Sequence, residues 1–294
     1  MRPSAPTARQ PFRTIVLILS AAALCSTGAS AQDERETGWF FTSELAAVLT
    51  SGNSQSRTFG LSGTLRRVWA RSSLMFEGGG TRTESTLISR SAVGTSQDDF
   101  VLEETKNTET TAELYSVRAR YDYNFSARFY TFAGTDWLRN TFAGIDSRFL
   151  FAIGAGNSWV DNDRVRFKTD YGVTYTFEEE VVTNPFVETN FPGLRLAYDF
   201  GWSITSSTDF NSIMLGDWNL KNTDDIRIDW KNELPIAISE LFSLKPTLRF
   251  LWRNDPALTE VELFDPTGAS TGNTVLTPLQ HLDMLFTLAL VFNI

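Results

Sequence analysis

The chain has 294 residues, 42% of them hydrophobic, so it is long enough to fold without disulfides or structural metals. Its 35 acidic residues outnumber its 26 basic residues, and the net charge of −9 argues against a protein that binds nucleic-acid phosphates. The single Cys and single His exclude zinc ribbons, iron–sulfur proteins and thiol redox enzymes. We therefore expect no metal, no organic cofactor and no nucleic-acid partner.

The N-terminus has the pattern of a secretory signal peptide. Basic residues precede the apolar run Ile15–Leu24, and Ala29–Ala31 supplies the small side chains of a cleavage site. The run is about ten residues long, whereas a helix that spans a bilayer needs roughly 20. This pattern predicts Sec-dependent export and cleavage after Ala31, with residues 1–31 as the signal peptide and residues 32–294 as one mature domain.

Beyond the signal peptide, polar and apolar residues alternate with the period of two that is typical of β-strands. The clearest case is the segment from Arg164 to Phe177, and Leu194–Ile204 and Phe242–Trp252 repeat it. In the first segment one face is apolar and mostly aromatic: Val165, Phe167, Thr169, Tyr171, Val173, Tyr175 and Phe177. The other face is polar: Arg164, Arg166, Lys168, Asp170, Gly172, Thr174 and Thr176.

The lengths of these segments favour a membrane. Soluble strands usually have about 5–6 residues, whereas a tilted strand that crosses hydrocarbon needs about 9–11. Backbone polar groups in lipid must be paired, so the sheet should close into an all-β, transmembrane antiparallel barrel of the outer-membrane type, with apolar residues outward and polar residues in the lumen. The alternative is a soluble β-sandwich with an aromatic core.

Applied to the whole chain, the alternation predicts about twelve strands. They are 38–51, 55–67, 72–83, 109–123, 129–140, 149–160, 164–177, 191–205, 210–219, 225–237, 242–254 and 279–293. Long connections (84–108, 178–190 and 255–278) alternate with tight ones, which is typical of extracellular loops and periplasmic turns. With both termini periplasmic, one girdle of aromatic residues is expected at the periplasmic rim: Trp39, Trp69, Tyr123, Phe129, Trp159, Trp202, Phe242 and Phe292.

Three segments resemble a known bacterial family. They are Trp39–Ser54 with its Gly52-Asn53-Ser54 turn, Phe142–Tyr175, and Leu241–Trp252 followed by Pro256. Their order and spacing are similar to those of domain-of-unknown-function family 481, whose members are called salt-induced outer-membrane proteins. The resemblance implies a barrel in the bacterial outer membrane and brings no catalytic residues.

The polar face supplies the candidate functional residues. We expect the lumen to be lined by charges of both signs, including Arg118, Arg120, Asp122, Arg148, Arg164, Arg166, Lys168, Asp170, Arg195, Asp199, Lys245 and Arg249. Such a lumen fits a narrow channel for ions or small polar solutes, or a non-conducting structural or adhesive barrel filled by paired side chains. If it conducts, the basic row of Arg164, Arg166 and Lys168 predicts a preference for anions.

A third alternative is an outer-membrane hydrolase that uses His281, with Asp283 to orient it, although no particular serine is indicated as nucleophile. We expect no enzymatic activity. Acidic runs such as Glu178–Glu180 are expected to be solvated loop residues and not calcium ligands. The expected partners are outer-membrane lipid, the barrel-assembly machinery during biogenesis, and small ions or solutes.

Overall fold

The computed structural model describes residues 37–50, 55–96, 99–184 and 187–293, so the predicted signal peptide lies outside the described residues. The elements are β1 (Gly38–Thr50), β2 (Gln55–Val68), β3 (Ser72–Ser96), β4 (Asp99–Asn124), β5 (Phe129–Asn140), the 3-10 turn η1 (Thr141–Ala143), β6 (Ile145–Asp161), β7 (Val165–Glu180), β8 (Asn190–Ser203), β9 (Asp209–Asn219), β10 (Ile226–Glu233), β11 (Ile236–Ala237), β12 (Phe242–Arg253), β13 (Leu258–Phe264), β14 (Ser270–Pro278) and β15 (Leu282–Asn293).

The sheet closes on itself. Consecutive strands from β1 to β10 pair antiparallel with one another. The ring is then completed by the pairs β10–β12, β12–β15 and β15–β1, and in the last of these Leu45 faces Leu290. The short strand β11 is a continuation beyond Pro235, which cannot donate a backbone hydrogen bond to the sheet. The result is a twelve-stranded antiparallel barrel without the free edges that lipid would leave unsatisfied.

The two ends of the barrel differ. The start of β1, the end of β15 and the short turns that follow β2, β4, β6, β8 and β10 lie at one end, which we call the turn end. The opposite end, the loop end, carries η1, the connection between β7 and β8, the extended β3–β4 hairpin and the separate β13–β14 hairpin. This is the asymmetry predicted from the alternating loop lengths.

The wall of the barrel has an apolar outer face and a polar inner face, as predicted. The alternative of a soluble β-sandwich with an aromatic core is wrong. On β7 the outward Tyr171, Val173, Tyr175 and Phe177 are between 41% and 54% exposed, whereas the inward Thr174, Thr176 and Glu178 are 2% to 7% exposed. The same inversion continues onto β8, where Leu196 is 66% exposed and its neighbour Arg195 is 9% exposed. Apolar side chains thus cover the outside of the barrel, and charged ones fill the inside.

Two predicted loops are wrong in part. The connection 84–108 is largely strand, because β3 and β4 continue as a hairpin beyond the barrel, and 255–278 contains β13 and β14. Outside the membrane both faces of a hairpin meet water, so no polar–apolar alternation is required there. In the described part of the chain, no helix is long and apolar enough to cross a membrane.

The predicted aromatic girdle lies at the turn end. Trp39, Trp69, Phe129, Trp159 and Trp202 are between 38% and 60% exposed there. Aromatic rings with a polar edge favour the boundary between hydrocarbon and water, so this ring marks one limit of the apolar band.

The adjacent residues Leu61 and Ser62 test the assignment of faces. Leu61 is 64% exposed on the outer face of β2, and Ser62 lines the lumen. Leu61→Arg should lower the free energy of unfolding by about 2–4 kcal/mol, because it places a charge near the middle of the apolar band. Ser62→Arg should change it by less than about 1 kcal/mol. Urea titration of both variants in lipid vesicles measures the difference, and equal losses would show that the faces are misassigned.

Candidate functional site: the charged lumen

The barrel encloses a cavity of about 820 Å³. It reaches the last residues of strands at the turn end, such as Val68, Asn124 and Asp161, but stops below the loop end at the level of Arg148 and Asp217. Among the lining residues that the structure describes, ten are basic and ten are acidic. The cavity is therefore lined by equal numbers of opposite charges, and it extends to the turn end but not to the loop end.

Arg195 stands at the centre of the first group of charges. Its guanidinium donates from Nε and Nη2 to Asp217 at 2.7 and 2.8 Å, and from Nη1 to Asp136 at 2.9 Å. Asp136 also accepts a hydrogen bond from Arg118. Because bidentate arginine–carboxylate pairs hold both planar groups, this group ties β4, β5, β8 and β9 together inside the lumen.

A second group lies nearer the turn end. Arg120 donates to Asp122 at 2.8 Å and to Asp170 at 2.6 Å, and its guanidinium lies 4.2 Å from the ring centre of Phe132. Asp170 also accepts a 2.6 Å hydrogen bond from the Tyr130 hydroxyl. One guanidinium is thus held by two carboxylates and an aromatic face.

Other pairs connect distant parts of the wall. Lys231 on β10 lies 4.0 Å from Glu77 on β3, which is five strands away around a ring of twelve. Lys245 pairs with Glu44, and also with Glu233 at 3.1 Å. Ion pairs therefore cross the lumen itself and do not only join neighbouring strands.

Glu178 forms the hub of a cluster that closes the loop end. It pairs with Arg227, lies 3.2 Å from Arg253 and 3.8 Å from Arg148, and is 5% exposed. Asp225, which is 1% exposed, accepts from the same two arginines of β10 and β12. The expectation that Glu178 is a solvated loop residue is wrong, because β7 continues to Glu180 and the alternation directs residue 178 into the lumen.

A lid lies above this cluster. The connection between β12 and β15 is diametrically opposite the connection between β5 and β6, yet Ala257 and Leu279 pack against Gly144. A Cβ atom at position 144 would lie 2.5 Å from Cβ of Ala257, and Gly144 has a φ of +71° that favours glycine. Ala257 is 2% exposed. The base of the β13–β14 hairpin thus spans the mouth of the barrel.

The hairpin above the lid ends in a turn built around Asp265. Its Oδ1 accepts from the Thr267 hydroxyl at 2.6 Å and from the backbone N–H groups of Thr267 and Ala269. The hydrogen bond from the Thr267 side chain, followed by those from the two backbone groups, lowers the pKa of Asp265. This turn fixes the tip of the hairpin in solvent.

The candidate residues of the sequence mostly meet in one place. The cavity wall contains Arg118, Arg120, Asp122, Arg148, Arg166, Lys168, Asp170, Arg195, Asp199, Lys245 and Arg249. Arg164 does not belong to this wall: it is exposed in the turn between β6 and β7, because β7 begins one residue later. His281 starts the return to β15, and its Nδ1 lies 3.0 Å from the carbonyl oxygen of Arg253.

Several site residues were missed by sequence reasoning: Asp136, Asp217, Asp225, Arg227, Lys231 and Glu233. Most of them occupy inward positions of strands that were themselves predicted, so the alternation could have included them. The pairing of these charges has no signal in the sequence, because it depends on which strands face each other after closure.

The closed sheet, apolar exterior and charged interior define a transmembrane β-barrel of the outer-membrane type. The chain belongs to the family described as "Protein of unknown function, DUF481", whose model matches residues 43–265. The uncharacterized protein YdiY of Escherichia coli K12 is 22% identical over 150 residues, which cover 51% of this chain and 57% of the relative.

The solved structures to which this chain is similar come from several bacteria. An anion-selective porin from Comamonas acidovorans is 9% identical, with 88% of this chain and 100% of that chain covered and a TM-score of 0.37. The outer membrane channel DcaP of Acinetobacter baumannii is 8% identical, with 92% and 100% covered and a TM-score of 0.37. A FadL homologue of Pseudomonas aeruginosa is 12% identical, with 87% and 74% covered and a TM-score of 0.32.

Glu178 and its neighbour Glu179 form a matched pair for a test of the cluster. Glu178→Gln leaves buried arginines without their shared carboxylate and should lower the free energy of unfolding by about 3–5 kcal/mol. Glu179→Gln, at an exposed position, should change it by less than about 0.5 kcal/mol. Denaturant titration monitored by tryptophan fluorescence compares the two. A loss below 1 kcal/mol for Glu178→Gln would show that the cluster is not held by this residue.

Proposed function

We propose that this protein is a narrow channel of the bacterial outer membrane that passes ions or small polar solutes and is closed at its loop end in the present conformation. The observation that carries the proposal is the cavity of about 820 Å³, which reaches the turn end and is lined by twenty charged side chains among the described residues. Charges inside a membrane protein are costly and are typical of ion and solute pathways.

The apolar exterior supports the membrane location. An exposed apolar surface that surrounds a whole barrel would aggregate in water, whereas lipid solvates it. Short turns are typical of the periplasmic side of such barrels and longer loops of the extracellular side, so we assign the turn end to the periplasm and the loop end to the exterior. Export through the Sec pathway remains a prediction from the N-terminal sequence.

The ion pairs change the expected selectivity. Arg166 of the predicted basic row lies 3.1 Å from Asp199, and Arg120 lies between two carboxylates. With equal numbers of acidic and basic lining residues, the field in the lumen has no dominant sign. We therefore replace the expectation of anion preference with weak selectivity between small cations and anions.

The lid is the gate in this proposal. The contact between Gly144 and Ala257 joins opposite sides of the mouth, and the Glu178 cluster lies directly beneath it. Solute that enters from the turn end meets this double closure before it reaches the exterior. Passage requires the hairpin base to move away and the ion pairs of Arg253 to separate.

A non-conducting structural barrel is the second candidate, and a specific observation favours it. The pair between Lys231 and Glu77 crosses the lumen, and Arg227 and Arg253 fill its loop end. If these contacts never separate, the paired charges act only as a polar core that holds the wall in shape. Conductance distinguishes the two candidates.

Planar bilayers provide the first test. The refolded protein should give small, infrequent current steps, and its reversal potential in a potassium chloride gradient should lie near zero, because the lining charges balance. Currents with a reversal potential strongly on the anion or cation side would contradict the balanced lumen. A silent barrel would support the structural candidate.

The lid supplies the second test. Ala257→Glu places a charged side chain where only a methyl group fits against Gly144, so it should raise the open probability several-fold. Val275→Glu adds the same charge at an exposed site of the β13–β14 hairpin and serves as the control. Equal current records for wild type and Ala257→Glu would contradict a gate at the lid.

A further inference from the structure

We propose that Arg67, held between Trp39 and Trp69 on the outer surface of the turn end, binds the phosphate group of a membrane phospholipid. The site is separate from the lumen. This inference rests on the proposed membrane location but not on conduction.

The position of Arg67 places its charge at the membrane boundary. Arg67 faces Trp39 directly across β1 and β2, one residue from the end of the barrel, and Trp69 follows in the adjoining turn. Trp39 is 60% exposed, so this face of the wall looks outward. Trp rings at this depth lie among lipid headgroups, and Arg67 lies with them.

The surroundings of Arg67 leave its hydrogen-bonding edge available. The guanidinium carbon lies 5.5 Å from the ring centre of Trp39 and 5.6 Å from that of Trp69. Contacts with ring faces stabilise the charge but accept few of its five N–H groups. In the part of the chain that the structure describes, Arg67 has no carboxylate partner.

Arg139, another arginine on the outer surface, is neutralised by a carboxylate of the same chain. It lies near the loop end, and its Nη1 is 2.7 Å from Oδ1 of Asp146 on the next strand. Arg67 has no acidic residue in the equivalent position: Trp39 lies opposite on β1 and Leu74 on β3. A counter-ion for Arg67 must therefore come from outside the described wall.

Phospholipid phosphate has the required chemistry. A planar guanidinium binds two oxygens of a phosphodiester through parallel N–H donors, and the two Trp rings restrict its rotation in advance. The acyl chains of the same lipid would extend over the apolar surface of β1 and β2, where Phe41 and Leu65 are exposed. Headgroup and chains are thus both matched by one strip of the barrel.

Native mass spectrometry tests the site with defined lipids. Wild-type protein, refolded in detergent, is mixed with phosphatidylglycerol or with a diacylglycerol that has the same acyl chains and no phosphate. We expect one tightly retained phosphatidylglycerol and no retained diacylglycerol. Arg67→Gln should weaken retention about tenfold or more, and Arg67→Lys should weaken it less, because lysine keeps the charge but loses the planar pair of donors.

Arg139→Gln is the control and should leave retention unchanged, with heat-modifiable gel migration confirming that each variant is folded. Equal retention by wild type and Arg67→Gln would overturn the proposal. Displacement of the lipid by equimolar glycerol 3-phosphate would overturn the lipid as ligand in favour of a soluble phosphate. A barrel that is silent in bilayers but retains the lipid would contradict conduction alone.

Discussion

Closure of the sheet is the constraint on which the rest of this structure depends. The pairing of β1 with β15 removes the last free edge of the barrel, so each of its twelve strands exchanges backbone hydrogen bonds with two neighbours. Once the wall is closed, alternate side chains must point into a narrow interior. The charges on those side chains then interact strongly, and pairing of carboxylates with guanidinium groups stabilises them.

The ion pairs are arranged differently at the two ends of the lumen. Near the turn end, Arg120 and Arg166 are held against the wall by neighbouring carboxylates, and space remains beside them. Near the loop end, Glu178 draws arginines from β10 and β12 toward β7 and fills the cross-section. The same interaction therefore lines the lumen near one end and fills it near the other. The lid at Gly144 and Ala257 adds a steric closure above the electrostatic one.

Sequence reasoning was strongest where the membrane imposes a pattern. All twelve barrel strands were predicted, because lipid on one side and charge on the other force an alternation that β7 and β8 show over most of their length. The alternation is not required outside the apolar band, so it predicts loops for the hairpin 84–108 and for the strands β13 and β14. The predicted strand 225–237 is divided at Pro235, which has no backbone N–H group to donate to the sheet. Polar–apolar alternation depends on side chains and does not reveal such a break.

The candidate site was predicted as a set of residues but not as an arrangement. Arg195 was assigned to the lumen from its neighbours in sequence, whereas its partner Asp136 lies 59 residues away and meets it only across the closed wall. The pair of Lys231 and Glu77 depends on nearly opposite strands in the same way. For that reason the sequence suggested an excess of basic charge, and the structure shows a balance.

Cysteine accessibility measures most directly whether the lumen is open at the turn end and closed at the loop end. Cys25 is the only cysteine and lies in the predicted signal peptide, so the mature chain accepts single reporter cysteines. In intact cells, a membrane-impermeant charged thiol reagent should label Thr267→Cys on the outer hairpin rapidly and Ser62→Cys in the cavity far more slowly. In outer-membrane fragments that expose the turn end, Ser62→Cys should become reactive. Labelling of Ser62→Cys from outside at the rate of Thr267→Cys would contradict the closed loop end.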